Sequence, residues 1–125
     1  MKLMIVDDSS IMRRAIGKYL TPLNLELVAT ASNGQEALDR FQETQPDLVT
    51  LDITMPQMDG LTCLSQLMAQ KPSLKVIVIS ALSDPATGLK ALKLGAKSFL
   101  PKPFTETQLV EEIRRVAGAT TGATT

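Results

Sequence analysis

The stretch LVTLDITMPQMDG, from Leu48 to Gly60, decides how the rest of the chain is interpreted. Its aliphatic residues are typical of a buried β-strand, yet the strand carries an aspartate, Asp52, at its end and then breaks at a proline and a glycine. Because a carboxylate gains little from burial, Asp52 is either a turn residue or a residue with chemistry to perform. The sequence around this stretch decides between the two interpretations.

Composition limits the classes of protein to consider. The chain has 125 residues, of which 44% are hydrophobic, so it can form one domain with a single core. Thirteen Lys and Arg residues balance 13 Asp and Glu residues, so net charge indicates neither direct nucleic-acid binding nor an anionic membrane. The N-terminal apolar segment is too short for a secretory signal, and no apolar run approaches the roughly 20 residues of a membrane span. We expect a cytoplasmic protein that does not insert into membranes.

The inventory of reactive side chains is narrow. Cys63 is the single cysteine and lies within an apolar helical pattern, so we expect a buried, inert thiol and no disulfide within the chain. Histidine is absent, which removes the commonest general base and metal ligand. Any catalysis must therefore use carboxylates, hydroxyls, lysines or a hard cation.

Short aliphatic segments alternate with helical patterns along the whole chain. Five β–α units of this kind predict an α/β, flavodoxin-like doubly wound fold, with a five-stranded parallel sheet in the order 2-1-3-4-5 and helices on both faces. The predicted strands are Lys2 to Val6, Leu25 to Ala29, Asp47 to Leu51, Lys75 to Ser80 and Lys97 to Leu100, and the first four helical patterns cover residues 10–20, 34–44, 60–70 and 84–95.

Two further expectations concern the first and the last predicted helix. In the first helix, Ile11, Ala15 and Tyr19 form one apolar stripe. The last helix begins at a Thr105–Gln108 capping box and ends near Gly118. Residues 1–118 are therefore predicted to form one domain, and residues 119–125, which lack periodicity, a flexible tail or the start of a linker.

Polar residues mark the carboxyl ends of the predicted strands, where ligands bind in such sheets. Asp7 and Asp8 follow the first strand, Asp52 the third, Ser80 ends the fourth, and Lys102 follows the fifth. Singly, each has a local explanation as a helix-terminal charge, a cap or an edge-strand guard. Together, three carboxylates repel by about 4 kcal/mol per pair at 4 Å and an effective dielectric near 20. Such a cluster needs a cation, and oxygen ligands without histidine fit Mg²⁺.

Four segments resemble one known family. The segments IVDDSSIMRR, LVTLDITMPQMDG, VIVISA and GAKSFLPKPF look like the receiver domain of two-component response regulators, over about residues 2 to 117. The DDSSxMRR opening is similar to chemotaxis-type regulators, both stand-alone ones and the receiver of the methylesterase. The resemblance implies a phosphoacceptor signalling switch that receives a phosphoryl group from a sensor histidine kinase.

The resemblance also implies roles for individual residues at the metal site. Asp52 would be the phosphoacceptor, Asp8 a direct Mg²⁺ ligand, and Asp7 the residue that holds a metal-bound water. The carboxylate of Asp52 and the carbonyl of Thr54 would complete the protein's share of the metal shell. No general base is needed, because an aspartate is already ionised at neutral pH.

Further residues would bind the phosphoryl group or change conformation in response to it. Lys102, joined to Pro103 by a cis bond, would pair with the phosphoryl oxygens, and Ser80 would hydrogen-bond to one of them after transfer. Phe99 lies where the family carries an aromatic switch residue, so it is either a core residue or the switch that couples this event to a partner-binding surface of the fourth helix, fifth strand and fifth helix. Leu82 would exclude the hydrolytic water and slow self-dephosphorylation. The resemblance is compatible with a monomer or a phosphorylation-dependent dimer.

Two other classes of protein remain as alternatives. A Mg²⁺-dependent phosphatase of the haloacid-dehalogenase type also uses an aspartate after a strand, but it would need a second aspartate two residues on, where this chain has Thr54. A flavin-binding module would place a phosphate at the first strand end, where two acids would repel it. We therefore expect a protein that catalyses only its own phosphorylation and slow dephosphorylation, and not an enzyme that turns over free substrates.

Overall fold

Strands and helices alternate along the chain as predicted. The structure, a computed structural model, describes residues 1–54, 60–81 and 85–121. The strands in these ranges are β1 (Lys2–Val6), β2 (Glu26–Ala31), β3 (Leu48–Asp52), β4 (Lys75–Ser80) and β5 (Ser98–Pro101). The helices are α1 (Ser10–Tyr19), α2 (Gly34–Thr44), α3 (Gly60–Gln70), α4 (Pro85–Lys93) and α5 (Glu106–Thr121), with a short 3₁₀ turn at Thr21–Leu23. Among the described helices, none combines the length and the apolar character needed to cross a bilayer.

The strands form one parallel sheet in the order β2-β1-β3-β4-β5, which confirms the predicted topology. The three central strands are almost fully buried, as strands covered by helices on both faces must be. The edge strand β2 is more exposed along its length. All carboxyl ends of the strands therefore lie at one edge of the sheet, and that edge is where the candidate site is found.

Helices cover the two faces of the sheet and create two cores. Helices α1 and α5 pack on one face, and helices α2, α3 and α4 pack on the other. The alternation of side chains along each strand divides the strand residues between the two cores. The α1/α5 core includes Leu3, Ile5, Ile16, Leu48, Ile77, Ile79, Leu109 and Ile113, and the α2/α3/α4 core includes Met4, Val6, Leu38, Phe41, Val49, Leu51, Leu64, Leu67 and Val78.

The apolar stripe predicted for the first helix is wrong. Ile11 is 79% exposed, whereas Ile16 and Leu20 are buried and Tyr19 only flanks the core. The helix starts at a Ser9 cap, whose side chain accepts a hydrogen bond from the backbone of the first turn. The cap and the strand connection set the rotation of the helix about its axis, and this rotation turns Ile11 toward solvent.

The last helix also differs from its prediction. The capping box is confirmed, because Thr105 and Gln108 exchange backbone–side-chain hydrogen bonds of 2.8 and 3.1 Å. The helix continues past Gly118 to Thr121. A glycine inside a helix costs about 1 kcal/mol relative to alanine, which weakens a helix without ending it. The predicted tail is thus helical at its start, and its remainder, residues 122–125, lies outside the described residues.

One buried hydroxyl in the α1/α5 core is not hydrogen-bonded. Thr50 lies in the middle of β3 between Ile5 and Ile77 and is fully buried. Within the described part of the chain, its Oγ1 atom has no hydrogen-bond partner. A buried polar group without a partner costs about 1–3 kcal/mol, so this position destabilises the fold.

We expect Thr50→Val to raise the free energy of unfolding by about 1 kcal/mol, because a methyl group of similar shape replaces the unpaired hydroxyl. The measurement is the urea midpoint at constant denaturant slope. Thr30→Val on the exposed face of β2 is the matched control and should change stability by less than about 0.5 kcal/mol. Loss of stability in Thr50→Val would mean that the hydroxyl is satisfied in solution.

Close backbone packing governs the start of α3. A Cβ atom built on Gly60 would overlap the Cα atom of Ile53 and lie 2.6 Å from its Cβ atom. Ile53 directly follows Asp52, and its backbone N–H donates to the Ile79 carbonyl at 3.1 Å. The glycine predicted as a simple helix start therefore lets α3 press against the backbone that carries the candidate phosphoacceptor.

We expect Gly60→Ala to lower the free energy of unfolding by about 3 kcal/mol, because the backbone at Ile53 must shift to admit a methyl group. Gly17→Ala in α1 is the control. Its Cβ would lie 3.8 Å or more from the side chains of Ile5 and Leu27, so the change should stabilise the helix by about 0.5–1 kcal/mol. Chemical denaturation of both variants measures the difference, and similar stabilities would contradict the packing argument.

Candidate functional site

The parallel sheet brings four of the predicted residues to one edge. Asp7 directly follows β1, Asp52 and Ser80 are the last residues of β3 and β4, and Lys102 directly follows β5. The side chains of Asp7 and Asp52 are only 1% and 2% exposed, and Ser80 is fully buried. Such burial of two carboxylates is unusual and requires compensating interactions.

Lys102 supplies the main compensation. Its Nζ atom lies 3.1 Å from Oδ2 of Asp7 and 3.3 Å from Oδ2 of Asp52, so one ammonium bridges both carboxylates. The backbone N–H of Lys102 donates to the Ser80 carbonyl at 2.8 Å, which holds the residue at the end of β4. The bond from Lys102 to Pro103 is cis, as the resemblance implied.

The second oxygen of each carboxylate is held by the backbone two residues further on. The N–H of Ser9 donates to Oδ1 of Asp7 at 2.9 Å, and the N–H of Thr54 donates to Oδ1 of Asp52, also at 2.9 Å. Both are turns in which an aspartate side chain replaces a backbone carbonyl. Each carboxylate is thus fixed between a local backbone donor and the distant ammonium.

Sequence reasoning missed one further hydrogen bond to the carboxylate of Asp52. The hydroxyl of Thr54 donates to Oδ1 of Asp52 at 2.5 Å, in addition to the backbone bond. The spacing Asp-x-Thr was the available signal, since Ser and Thr hydroxyls commonly bond to a side chain or backbone two residues away. The predicted role of the Thr54 carbonyl as a metal ligand stays a prediction.

The charges of the site do not balance. Burial raises the pKa of the Asp7 carboxyl above its ordinary value, and the bonds from Ser9 and Lys102 only partly oppose this effect. For Lys102, burial lowers the pKa, but the hydrogen bonds and charges of Asp7 and Asp52 outweigh it and raise the pKa above its ordinary value. Lys102 therefore stays protonated, but this single ammonium has to compensate two buried carboxylates.

A third carboxylate completes an acidic group. One oxygen from each of Asp7, Asp8 and Asp52 lies within 4.8 Å of the others. Asp8 is exposed, and its carboxylate has no hydrogen-bond or ion-pair partner among the residues that the structure describes. The charges of these three carboxylates and the Lys102 ammonium sum to two negative charges, which would attract a divalent cation. The all-oxygen donor set fits a hard cation such as Mg²⁺.

The residues predicted to switch lie on the other face of the sheet from Asp52. Ser80 follows Val78 along β4, and Val78 pairs with Phe99 of β5, so the alternation places all three on the α4 side. The ring of Phe99 is partly buried against α4, where a Cβ on Gly88 would lie 3.5 Å from it. The switch roles of Ser80 and Phe99 stay predictions.

Several predictions fall outside the described residues. They concern the break in the chain at Pro56 after the third strand and the water-excluding role of Leu82. Cys63, in contrast, is described and buried as expected. Burial raises the pKa of its thiol to about 11, which leaves it protonated at neutral pH.

One cleft of the described surface lies away from the acidic group. It has a volume of about 580 Å³ and is lined by Met1, Leu23 and Leu25 on one side and by Ile113 and Arg114 of α5 on the other. None of the strand-end carboxylates, hydroxyls or ammonium groups lines this cleft. The chemistry that the sequence indicates is therefore concentrated at the shallow acidic edge of the sheet.

Comparisons with known proteins agree with this geometry. A family model for the response regulator receiver domain matches residues 3–114. The chemotaxis protein CheY of Listeria monocytogenes is 46% identical over 117 residues, which cover 94% of this chain and 98% of that protein. A protein-glutamate methylesterase/protein-glutamine glutaminase of Vibrio cholerae is 45% identical over 105 residues, which cover 82% of this chain but 29% of that protein.

Solved structures give the same result. The crystal structure of the CheX-CheY-BeF3-Mg+2 complex from Borrelia burgdorferi contains a chain that matches with a TM-score of 0.90 and 35% identity. The match covers 94% of this chain and 89% of that one. The fold, the strand-end residues and the matched family model lead to one conclusion: this chain belongs to the family of response regulator receiver domains.

Proposed function

We propose that this protein is a Mg²⁺-dependent phosphoacceptor switch that receives a phosphoryl group from a histidine kinase on Asp52. The observation that carries the proposal is the Lys102 ammonium shared by the buried carboxylates of Asp7 and Asp52. The arrangement places a nucleophilic carboxylate next to a cation that can bind incoming phosphoryl oxygens. The same cation then stabilises the product.

The metal site of the proposal uses residues of the acidic group. Asp8 would bind the cation directly together with Asp52 and the Thr54 carbonyl, and Asp7 would hold a water of the metal shell. When bound, Mg²⁺ supplies positive charge that offsets the charge of the phosphoryl oxygens. The two negative charges left unbalanced at the site support this assignment.

The transfer step needs no general base. An ionised oxygen of Asp52 forms a bond to phosphorus while the P–N bond to the donor imidazole breaks and its electron pair stays on the ring nitrogen. Lys102 exchanges a carboxylate for a phosphoryl oxygen during the step. Thr54 must at least partly release Oδ1 of Asp52 if that oxygen attacks, because both its hydroxyl and its N–H donate to it.

The phosphatase alternative is disfavoured by the same contact. A haloacid-dehalogenase-type enzyme would use a second aspartate at position 54 as general acid. This chain has Thr54 at that position, and its hydroxyl is engaged with Asp52 and has no proton of suitable acidity for a leaving group. We therefore propose a signalling protein that catalyses only its own phosphorylation and slow dephosphorylation.

We infer the biological setting from the relatives. The relatives include a chemotaxis protein, matched over 117 residues, and a methylesterase, matched over 105 residues, so we infer a chemotaxis-type regulator. We propose that it acts in the cytoplasm, with a sensor histidine kinase as donor and a downstream protein as target. Balanced charge argues against direct contact with nucleic acid. A monomer or a phosphorylation-dependent dimer is compatible with this role.

The proposed output surface consists of α4, β5 and α5. Two large apolar side chains of α4, Leu89 and Leu92, are 55% and 46% exposed and lie beside basic residues of the same helix. The same surface carries four basic side chains that form either a solvated face or a docking rim, namely Lys90, Lys93, Arg114 and Arg115. Of these, Arg115 is paired with Glu112 at 2.8 Å. Exposed apolar residues flanked by positive charge suit an amphipathic acidic partner segment.

The proposed coupling runs from Ser80 to Phe99. Phosphorylation adds acceptor oxygens next to Ser80, whose hydroxyl would move toward them and vacate space on the α4 side of the sheet. Because Phe99 lies on that same side, its ring can move into the vacated space and change the packing of α4. The output surface would then bind its target more tightly.

We expect Asp52→Asn to abolish stable phosphorylation, because the amide is a poor nucleophile. Wild type and variant are treated with a phosphoramidate and Mg²⁺, and the intact proteins are weighed. Asp39→Asn, which alters an exposed aspartate of α2, is the matched control and should gain one phosphoryl group like the wild type. Equal uptake by Asp52→Asn would disprove the assignment of the phosphoacceptor.

We expect Phe99→Leu to uncouple the output surface from the site. Beryllofluoride with Mg²⁺ should shift the amide NMR signals around Asp52 in wild type and variant alike, but shifts in α4 should shrink at least about twofold in the variant. Phe104→Leu alters a partly buried phenylalanine of the α1/α5 core and serves as control. Wild-type shifts in α4 that persist unchanged in Phe99→Leu would remove Phe99 from the pathway.

A further inference from the structure

We propose that Arg13 is a positioning residue for the metal site, because it fixes the peptide between Asp7 and Asp8 and so directs the Asp8 carboxylate. The inference rests on the proposed function, since the cation concerned is the Mg²⁺ ion proposed above. Arg13 lies in the first turns of α1 and is only partly exposed. Its Nη1 atom donates to the Asp7 carbonyl at 2.6 Å.

The Asp7 carbonyl needs a donor because the sheet ends beside it. The pairing of β1 with β2 stops at Ala31, whose carbonyl accepts the Asp7 N–H at 3.0 Å. In a parallel pairing the next donor to the Asp7 carbonyl would be the N–H of Asn33, and no hydrogen bond between these two groups is found among the described residues. Arg13 thus takes over the acceptor at the point where the sheet stops supplying donors.

This contact controls more than one carbonyl group. The Asp7 C=O and the Asp8 N–H belong to the same rigid peptide plane, so the guanidinium sets the orientation of the backbone that enters Asp8. The direction in which the Asp8 side chain leaves the backbone follows from that orientation.

Asp8 depends on its backbone more than Asp7 does. The carboxylate of Asp7 is held by Ser9 and Lys102, and its N–H by β2. No such contact holds the Asp8 carboxylate in the described structure. A metal ligand that no side-chain partner orients must be oriented through its main chain. Among the residues that the structure describes, Arg13 provides the side-chain contact to the peptide that precedes Asp8.

The charge of Arg13 alone would have the opposite effect on metal binding. A guanidinium close to an acidic group repels a cation, so its removal should tighten Mg²⁺ binding if charge were all that mattered. A positioning role predicts weaker binding on removal. The sign of the change therefore separates the two roles, and the adjacent Arg14, which is exposed, reports the charge effect by itself.

The test is a calorimetric Mg²⁺ titration of the wild type, Arg13→Ala, Arg13→Lys and Arg14→Ala, with folding checked by circular dichroism. We expect Arg14→Ala to bind Mg²⁺ as tightly as wild type or up to about twofold tighter, and Arg13→Ala to bind about tenfold more weakly. Arg13→Lys should recover part of the loss, because an ammonium can reach the same carbonyl. If Arg13→Ala does not fold, Arg13→Met, which keeps the length of the stem, replaces it.

Two readouts make the outcome decisive. In the metal-free protein, the amide NMR signal of Asp8 should move in Arg13→Ala and not in Arg14→Ala, since only the former frees the peptide plane. Binding by Arg13→Ala that equals that of Arg14→Ala would overturn the positioning role, even if stability falls. Asp8→Ala gives the floor of the titration, and unchanged Mg²⁺ binding in that variant would refute the proposed metal site and not the contact of Arg13.

Discussion

The ammonium of Lys102 between two buried carboxylates is the interaction on which this structure depends. Asp7 and Lys102 are 95 positions apart in the sequence, yet their charged side-chain atoms lie 3.1 Å apart. The contact forms only when β1, β3, β4 and β5 are all in place, because the three residues follow or end different strands. Removing the ammonium would leave two buried carboxylates facing each other, which is costly in a low-dielectric interior.

The site is also organised in advance of any ligand. The carboxylates of Asp7 and Asp52 each accept a hydrogen bond from the backbone N–H of the residue two positions later. The two turns have the same hydrogen-bond pattern and lie at the ends of neighbouring strands. Groups held by rigid backbone lose little entropy when a ligand arrives, which is how folded proteins keep reactive geometry. Gly60 also contributes to this rigidity, because its lack of a side chain lets α3 pack directly against Ile53, the residue after Asp52.

Sequence reasoning predicted the sheet order and the strand-end residues because alternating strands and helices allow few topologies, and parallel strands end at one edge. It failed where the answer depends on the rotation of a helix about its axis or on individual polar contacts of a side chain. Ile11 faces solvent because the cap and connection of α1 set the rotation of that helix, which a periodic pattern leaves undetermined. The contacts of Arg13 with a carbonyl and of the Thr54 hydroxyl with Asp52 have no periodic signature at all.

The burial of Cys63 determines how this domain responds to oxidants that attack thiols. Cys63 belongs to α3, and its thiol is buried in the core. Burial raises the pKa of this thiol to about 11, so the nucleophilic thiolate form is almost absent at neutral pH. Oxidants and electrophiles in the cell react with thiolates that are exposed, and this chain offers no other cysteine. The phosphoryl transfer proposed for Asp52 would therefore proceed without interference from cysteine oxidation within this sequence.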